Sequence, residues 1–209
     1  METLSTTENR ELMARARDAL YGRWGLATGT FVVYLVVTIP ISLIPFIGWI
    51  ISILIGGSMS VGIAIFSLSI SRKQDAQLAQ IFEGFQKFNV ALGAYLLMAI
   101  FIILWMFLLI IPGIIAALSY SMTYFILAEN NSIGSLDAIS KSKEMMQGNK
   151  WKLFCLGFRF FGWGMLCILT VGIGFLWLYP YMMVSFAQFY DDIKRQETLA
   201  NNPVADPIQ

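Results

Sequence analysis

Three long stretches of this chain, Trp24 to Ser71, Phe88 to Ala128 and Phe160 to Tyr190, contain no Asp, Glu, Lys or Arg, and the charged residues are gathered into the four tracts around them. A helix rises about 1.5 Å per residue, so roughly 20 apolar residues cross a hydrocarbon layer, and the first two stretches are each long enough to cross twice. The pattern therefore predicts an all-α, polytopic membrane protein. Leu26–Ile44 and Trp49–Ile70 form a first pair of spans, separated by Pro45-Phe46-Ile47-Gly48, where proline removes a backbone donor and glycine permits reversal. Val90–Ile111 and Ile114–Ala128 form a second pair about Pro112-Gly113. Trp151 to Thr170 and Phe175–Tyr190 form a third about Val171-Gly172-Ile173-Gly174. Six transmembrane helices result, arranged as three helical hairpins.

This reading divides the chain into an N-terminal segment (1–23), a transmembrane domain (24–190) with hairpins at about 24–71, 88–128 and 151–190, and a tail (191–209). The linkers 72–87 and 129–150 are patterned as cytoplasmic amphipathic helices. Asp75 can cap a helix whose Leu78, Ile81, Phe82, Phe85 and Phe88 share one face, expected to lie flat at the interface. In Ser135–Met146, Ser135 is the expected N-cap, Asp137 suits the first turn, and Gly148 is the expected stop. Glu8–Tyr21 is a third candidate, with Leu12, Ala16 and Ala19 on one side. A glycine followed by a base and an aromatic recurs at Gly22-Arg23-Trp24, at Gly84 with Lys87-Phe88, and at Gly148 with Lys150-Trp151, which suggests a threefold internal repeat.

Charge sets the orientation. The three turns carry none, whereas the Lys and Arg residues fall almost entirely on the other side, which the positive-inside rule makes cytoplasmic. The expected location is the cytoplasmic membrane, with both termini cytoplasmic. The N-terminal tract mixes acids and bases and shows no cleavable signal peptide, so the first span is expected to remain in the mature protein.

Composition agrees: 57% of residues are hydrophobic and 13% charged, with a mean hydropathy of +0.69. A net charge of +1, with acids interleaved among the bases, argues against a nucleic-acid partner. There is no histidine, which excludes a zinc hydrolase or a Ser-His-Asp site. Cys155 and Cys167 lie about 18 Å apart along one predicted helix, too far for a disulfide. No catalytic residue, metal ligand or cofactor site can be assembled, and the chain is not expected to be an enzyme.

Arg159 is the one formal charge inside a predicted span, and a cation at the bilayer centre costs at least about 2.5 kcal/mol on insertion scales. Two readings follow: an anion-binding or gating group paired with Glu129, Asp191 or Asp192, or a long side chain snorkelling to a lipid phosphate. Arg10, Arg15, Arg17, Arg23, Lys141, Lys143, Lys150 and Lys152 are candidate lipid-headgroup contacts, each contributing about 1 kcal/mol near an anionic surface. Gly25 and Gly29, a GxxxG pair, together with Gly57, Gly62 and Gly162, are candidate helix-packing positions. Serines 58, 60, 67 and 69 could line a polar groove, or bond to their own helix backbone. Pro40 and Pro180 interrupt spans one and six, a weak transporter signal without an intramembrane acid.

Ser142-Lys143 with Met146 and Gly148, then Phe154, Leu156, Phe160, Gly162-Trp163, Thr170, Gly172, Gly174, Trp177, Pro180-Tyr181 and Phe189-Tyr190 form a pattern that resembles the bacterial domain of unknown function family 975. The Arg-rich start before Trp24 and Ile111-Pro112-Gly113 also look like that family. The resemblance implies a multi-pass bacterial membrane protein and carries no activity to transfer; Arg159 stands where the family pattern has a small polar residue. The expected function is that of a non-enzymatic scaffold, accessory or envelope-associated protein acting through membrane lipids and a membrane protein partner or a second copy. A small permease, exporter or peptide-immunity protein with a path near Arg159 is the alternative.

Overall fold

The computed structural model describes residues 4–45 and 47–201, and every regular element among them is helical. In chain order these are α1 (Asn9–Leu20), α2 (Trp24–Ser42), α3 (Ile47–Ser71), α4 (Gln80–Glu83), α5 (Phe88–Leu108), α6 (Ile110–Tyr120), α7 (Thr123–Glu129), α8 (Ser135–Met145), α9 (Lys150–Leu169) and α10 (Phe175–Asn201). A turn of 3-10 helix, Gly84–Lys87, joins α4 to α5. Phe46, in the expected first turn, lies outside the described residues, as does the tail beyond Asn201.

Five helical segments are long and apolar enough to cross a membrane: Trp24–Ser42, Ile47–Ser71, Gln80–Phe107, Ile110–Glu129 and Lys150–Leu169. The sixth expected span falls in α10, which does not meet that criterion because Tyr179, Pro180, Tyr181 and Gln188 interrupt its apolar run before Asp191. α10 continues helical to Asn201, through the first part of the expected tail, and buries Asp192 and Ile193.

α3 is the central helix, packed by α1, α2, α4, α5, α7 and α10. Its two halves differ. Ile47, Trp49, Ile50, Ile53 and Leu54 are exposed, whereas nearly every residue from Gly57 to Ser71 is buried. Exposed Val36, Leu43, Ile103, Leu104, Phe107, Phe158 and Leu169 continue the apolar band around the far half of the molecule. The near half, where the charges collect, holds the close-packed core about Leu12, Val61, Ala91, Ile126, Met146, Leu156, Phe189 and Tyr190.

The second pair of helices turns earlier than expected. The break falls at Leu109, whose extended backbone (ψ 148) ends α5, and Pro112 sits in the first turn of α6. Proline is tolerated there because the amide it lacks would have no intrahelical partner. The returning helix is itself broken between α6 and α7 at Ser121-Met122. Ser142 of α8 completes that break: its fully buried Oγ donates to the Ser119 carbonyl (2.8 Å) and accepts from the Met122 amide (3.2 Å). A side chain thus satisfies both backbone groups that the interruption releases.

The linkers pack against protein instead of lying flat. Asp75 caps nothing and accepts from the Gln77 side chain; α4 is one turn long, with Ile81 fully buried. Gly84 lies against the Ser58 carbonyl and Gly62 against the Ile81 carbonyl, so the linker and α3 meet backbone to backbone. The N-cap of α8 is Gly134 rather than Ser135, whose hydroxyl donates instead to Val90 O at 2.8 Å. The apolar side of α1, with Leu12, Ala16, Ala19 and Leu20, is covered by protein.

Two of the three repeat junctions share a geometry. Gly22 (φ 76) and Gly148 (φ 74) follow α1 and α8 in the left-handed region that favours glycine. Gly84 is helical, at φ −58, and the feature it serves is the close crossing with α3.

Candidate functional site

Arg159 does not join a charged site. It is exposed on α9 and, among the described residues, has no hydrogen bond or ion pair. Leu153, Leu156 and Phe160 supply the buried face of α9, and one residue is a rotation of about 100°, which turns Arg159 outward beside Phe158. Trp151, Phe154, Phe158 and Phe161 make a continuous stack along this outer face, with centroid spacings of 5.4–6.3 Å.

The carboxylates proposed as its partners bind other bases. At the near ends of α3, α7 and α10, Arg72 pairs with Asp191 and Glu129. Glu129 also accepts from Lys194 (2.6 Å) and Tyr190 Oη (2.7 Å), and Ser71 Oγ donates to Asp191 (3.0 Å). Burial opposes the Arg72 charge, but the hydrogen bonds and charges of Asp191 and Glu129 outweigh it and hold the guanidinium firmly protonated. Lys87 Nζ, nearby, donates to the carbonyls of Leu127 and Asn130, placing a cation at the end of α7.

Asp192 faces a second cluster. Ser5 Oγ and the Thr7 hydroxyl donate to its carboxylate, and Lys152 Nζ lies 3.9 Å away while donating to Ser5 O. Asn9 Nδ2 donates to Lys152 O, and Ser5 N donates to Asn149 Oδ1, so residues 5–9 are latched onto α9 and α10. Burial alone would raise the Asp192 pKa; the Ser5 and Thr7 hydrogen bonds and the Lys152 charge offset it and hold the carboxyl below the usual aspartate range. A depressed carboxyl pKa stabilises the latch above the unfolded value near about 4, and that stabilisation is lost as pH falls through the folded value. The protection factors of residues 5–9, their exchange rates referred to the intrinsic rate at the same pH, should therefore fall below about pH 4, and Asp192→Asn should reproduce the fall at neutral pH. Unchanged protection in both cases would show that Asp192 does not hold the segment.

The other predicted residues separate into two groups. Lys152 is turned inward. Arg15 pairs with Glu11, Arg17 hydrogen-bonds Tyr181, and Arg23 donates to the Gln74 carbonyl. Arg10, Lys141, Lys143 and Lys150 have no hydrogen bond or ion pair among the described residues. Of the glycines, Gly57 and Gly62 meet neighbouring backbone, Gly57 against Ala91, whereas Gly25, Gly29 and Gly162 have nothing within 4 Å of an added Cβ. The GxxxG spacing of Gly25 and Gly29 therefore marks no helix contact within this chain, while isolated Gly62 does. Among the described residues no group of three His, Cys, Asp or Glu side chains could hold a metal ion, and both cysteines are free.

A feature that the sequence reading missed extends from the far half to the edge of the core. Three cavities of about 300, 280 and 250 Å³ share walls. The first lies among α2, α3 and α5, with Tyr34, Thr38, Ser42, Ser52, Ser60 and Tyr95 in its wall. Tyr95 also borders the second, between α5, α6 and α7, and Ser60 also borders the third, between α3, α7 and α10. Tyr124 lines the second and third and hydrogen-bonds Ser60. Among the described residues that line them, none carries a formal charge. Of the four serines singled out, Ser60 reaches the first and third of these cavities and also donates to Gly56 O; Ser69 bonds to its own helix through Ile65 O. Tyrosines inside otherwise apolar spans, away from any boundary, were the available signal.

Of the residues that carried the family resemblance, some are packing residues here, with Ser142 in the helix break, Leu156 and Phe160 in the core and Phe189-Tyr190 fully buried or nearly so, while Phe154, Gly162, Trp163, Thr170 and Trp177 are exposed. The family described as Protein of unknown function (DUF975) matches residues 1–117 and 106–197. No curated protein and no solved structure matches the chain. The two matched ranges overlap across the α5–α6 break and run from the N-terminal latch to the ionic clusters, so the chain belongs to the DUF975 family of proteins of unknown function.

Proposed function

We propose that this protein is a non-enzymatic, six-span protein of the bacterial cytoplasmic membrane that acts by association, as a scaffold or accessory subunit held among lipids and a membrane protein partner. On this reading α10 supplies the sixth crossing and both termini are cytoplasmic, which the packing of α10 on α9 after the short Thr170–Gly174 turn supports. The observation that carries the reading is the division of the charged residues. Asp191, Asp192 and Glu129 are each tied to a base within the fold, which is structural work, while Arg10, Lys141, Lys143 and Arg159 and the aromatic stack of α9 are left facing outward. Outward cations attract anionic headgroups, and an exposed aromatic stack offers flat apolar area to lipid or a transmembrane helix.

The test is the composition of the lipid shell retained on the purified full chain, together with solute flux after reconstitution. Replacing Arg10, Lys141, Lys143 and Arg159 by Gln should lower the anionic share of co-purifying lipid by at least about twofold, given about 1 kcal/mol for each cation near the surface. Liposomes carrying the wild type should leak no faster than empty ones. Saturable solute flux in place of this would favour the small-permease reading, which the shared cavities support.

A further inference from the structure

Three adjoining pockets of about 250–300 Å³, each open to the outside, are left unfilled between the helices. Together they reach the size of small-molecule sites. We infer that the far half of the bundle is a binding site for one uncharged amphipathic lipid whose head carries carbonyl or ether oxygens, of the kind a monoacylglycerol presents. This goes beyond the association role above and does not depend on it.

Three properties select that chemistry. The lining has no charged side chain, so an ionic head would enter without a counter-charge, at the cost of burying an ion in a low dielectric. The hydroxyls already committed are Ser60 to Gly56 O, Thr38 to Tyr34 O, Ser42 to Ile39 O, Ser121 to Leu118 O, and Tyr124 to Ser60. Tyr34 and Tyr95 line the first cavity, the Tyr179 ring stacks against Tyr34 at 6.3 Å, and none of the three has a hydrogen-bond acceptor among the described residues. Three O–H donors converging without acceptors call for a ligand that brings acceptors. Finally, the first cavity is walled by Ile39, half exposed on the apolar band, and the second by exposed Ala117. A chain can thus enter sideways from the bilayer while its head reaches the tyrosines.

The experiment uses the full chain in phosphatidylcholine nanodiscs and a diazirine-labelled monoacylglycerol, with 1-oleoylglycerol, oleate and 1-octadecene as competitors. Saturable labelling should map to the helix segments around residues 34–42, 52–60 and 95–102, and 1-oleoylglycerol should compete at least about tenfold better than oleate or octadecene. Gly56→Leu fills the first cavity, since its Cβ would meet only the Tyr95 ring at ordinary contact distance, and should reduce labelling about tenfold. Ala117→Phe blocks the second cavity from its exposed side and serves if Gly56→Leu does not fold. The double variant Tyr34→Phe with Tyr95→Phe should keep labelling but erase the preference for 1-oleoylglycerol over octadecene. Non-saturable labelling would mean that the cavities hold only water, equal competition by octadecene would mean nonselective chain filling, and preference for oleate would mean a charged ligand; each overturns the inference.

Discussion

Gly62→Leu is expected to abolish recovery of folded protein from detergent, whereas Gly29→Leu should leave yield and thermal midpoint unchanged. A Cβ on Gly62 would overlap the Ile81 carbonyl, a backbone atom held by the fully buried Ile81 and by the reciprocal contact of Gly84 with Ser58. Neither side can yield as the end of a flexible side chain could, so the helix–linker crossing must open. The cost of such overpacking starts at about 1–3 kcal/mol for added methylenes and rises when backbone must move, and the whole stability of a fold is only about 5–15 kcal/mol. Gly29 has open space around it, so leucine there is accommodated. Size-exclusion profile and thermal unfolding in detergent decide the matter: equal behaviour of the two variants would show that the crossing is not a point of close contact.

Arg72→Met should lower stability by about 2–3 kcal/mol, less than the roughly 3–5 of a fully buried broken pair because a third of the Arg72 side chain reaches solvent. The loss comes from what remains: Glu129, with its side chain 12% exposed, keeps Lys194 and Tyr190, but Asp191 keeps only the Ser71 hydroxyl. Chemical unfolding of Arg72→Met beside Arg72→Met with Asp191→Asn separates charge from packing. The added Asp191→Asn should recover at least about half of the loss, because it removes the uncompensated carboxylate. Arg159→Ser, by contrast, should leave stability unchanged, having no partner to strand. If Arg159→Ser proved the more damaging of the two, the assignment of these charges would be wrong.

These contrasts show where the sequence speaks and where it stops. Charge-free tracts predict helices long and apolar enough to cross a membrane whatever the tertiary arrangement, because hydrocarbon can solvate apolar side chains but not an unpaired backbone, and among the described residues five such helices are present. Pro112 was visible as an interruption, yet proline suits a helix start as well as a turn, so local chemistry left the break ambiguous by three residues. Ser142 could be recognised as part of a family pattern, but its task, bridging two backbone groups on another helix, exists only once α8 is packed against the α6–α7 break. Arg72 and Glu129 close α3 and α7, and Asp191 follows the apolar part of α10, a regularity of three successive returning helices, whereas Arg159 stands out in the sequence because it stands alone.

The sequence by itself determined the helical class, the apolar lengths of the long helices and the end at which charge collects, since each depends on composition averaged over many residues. Which glycines touch, which carboxylate meets which base, and where tyrosine hydroxyls are left without acceptors were decided by tertiary structure. A single residue of rotation on a helix, about 100°, moves a side chain from core to lipid, and no one-dimensional pattern fixes that rotation until the neighbouring helices are in place.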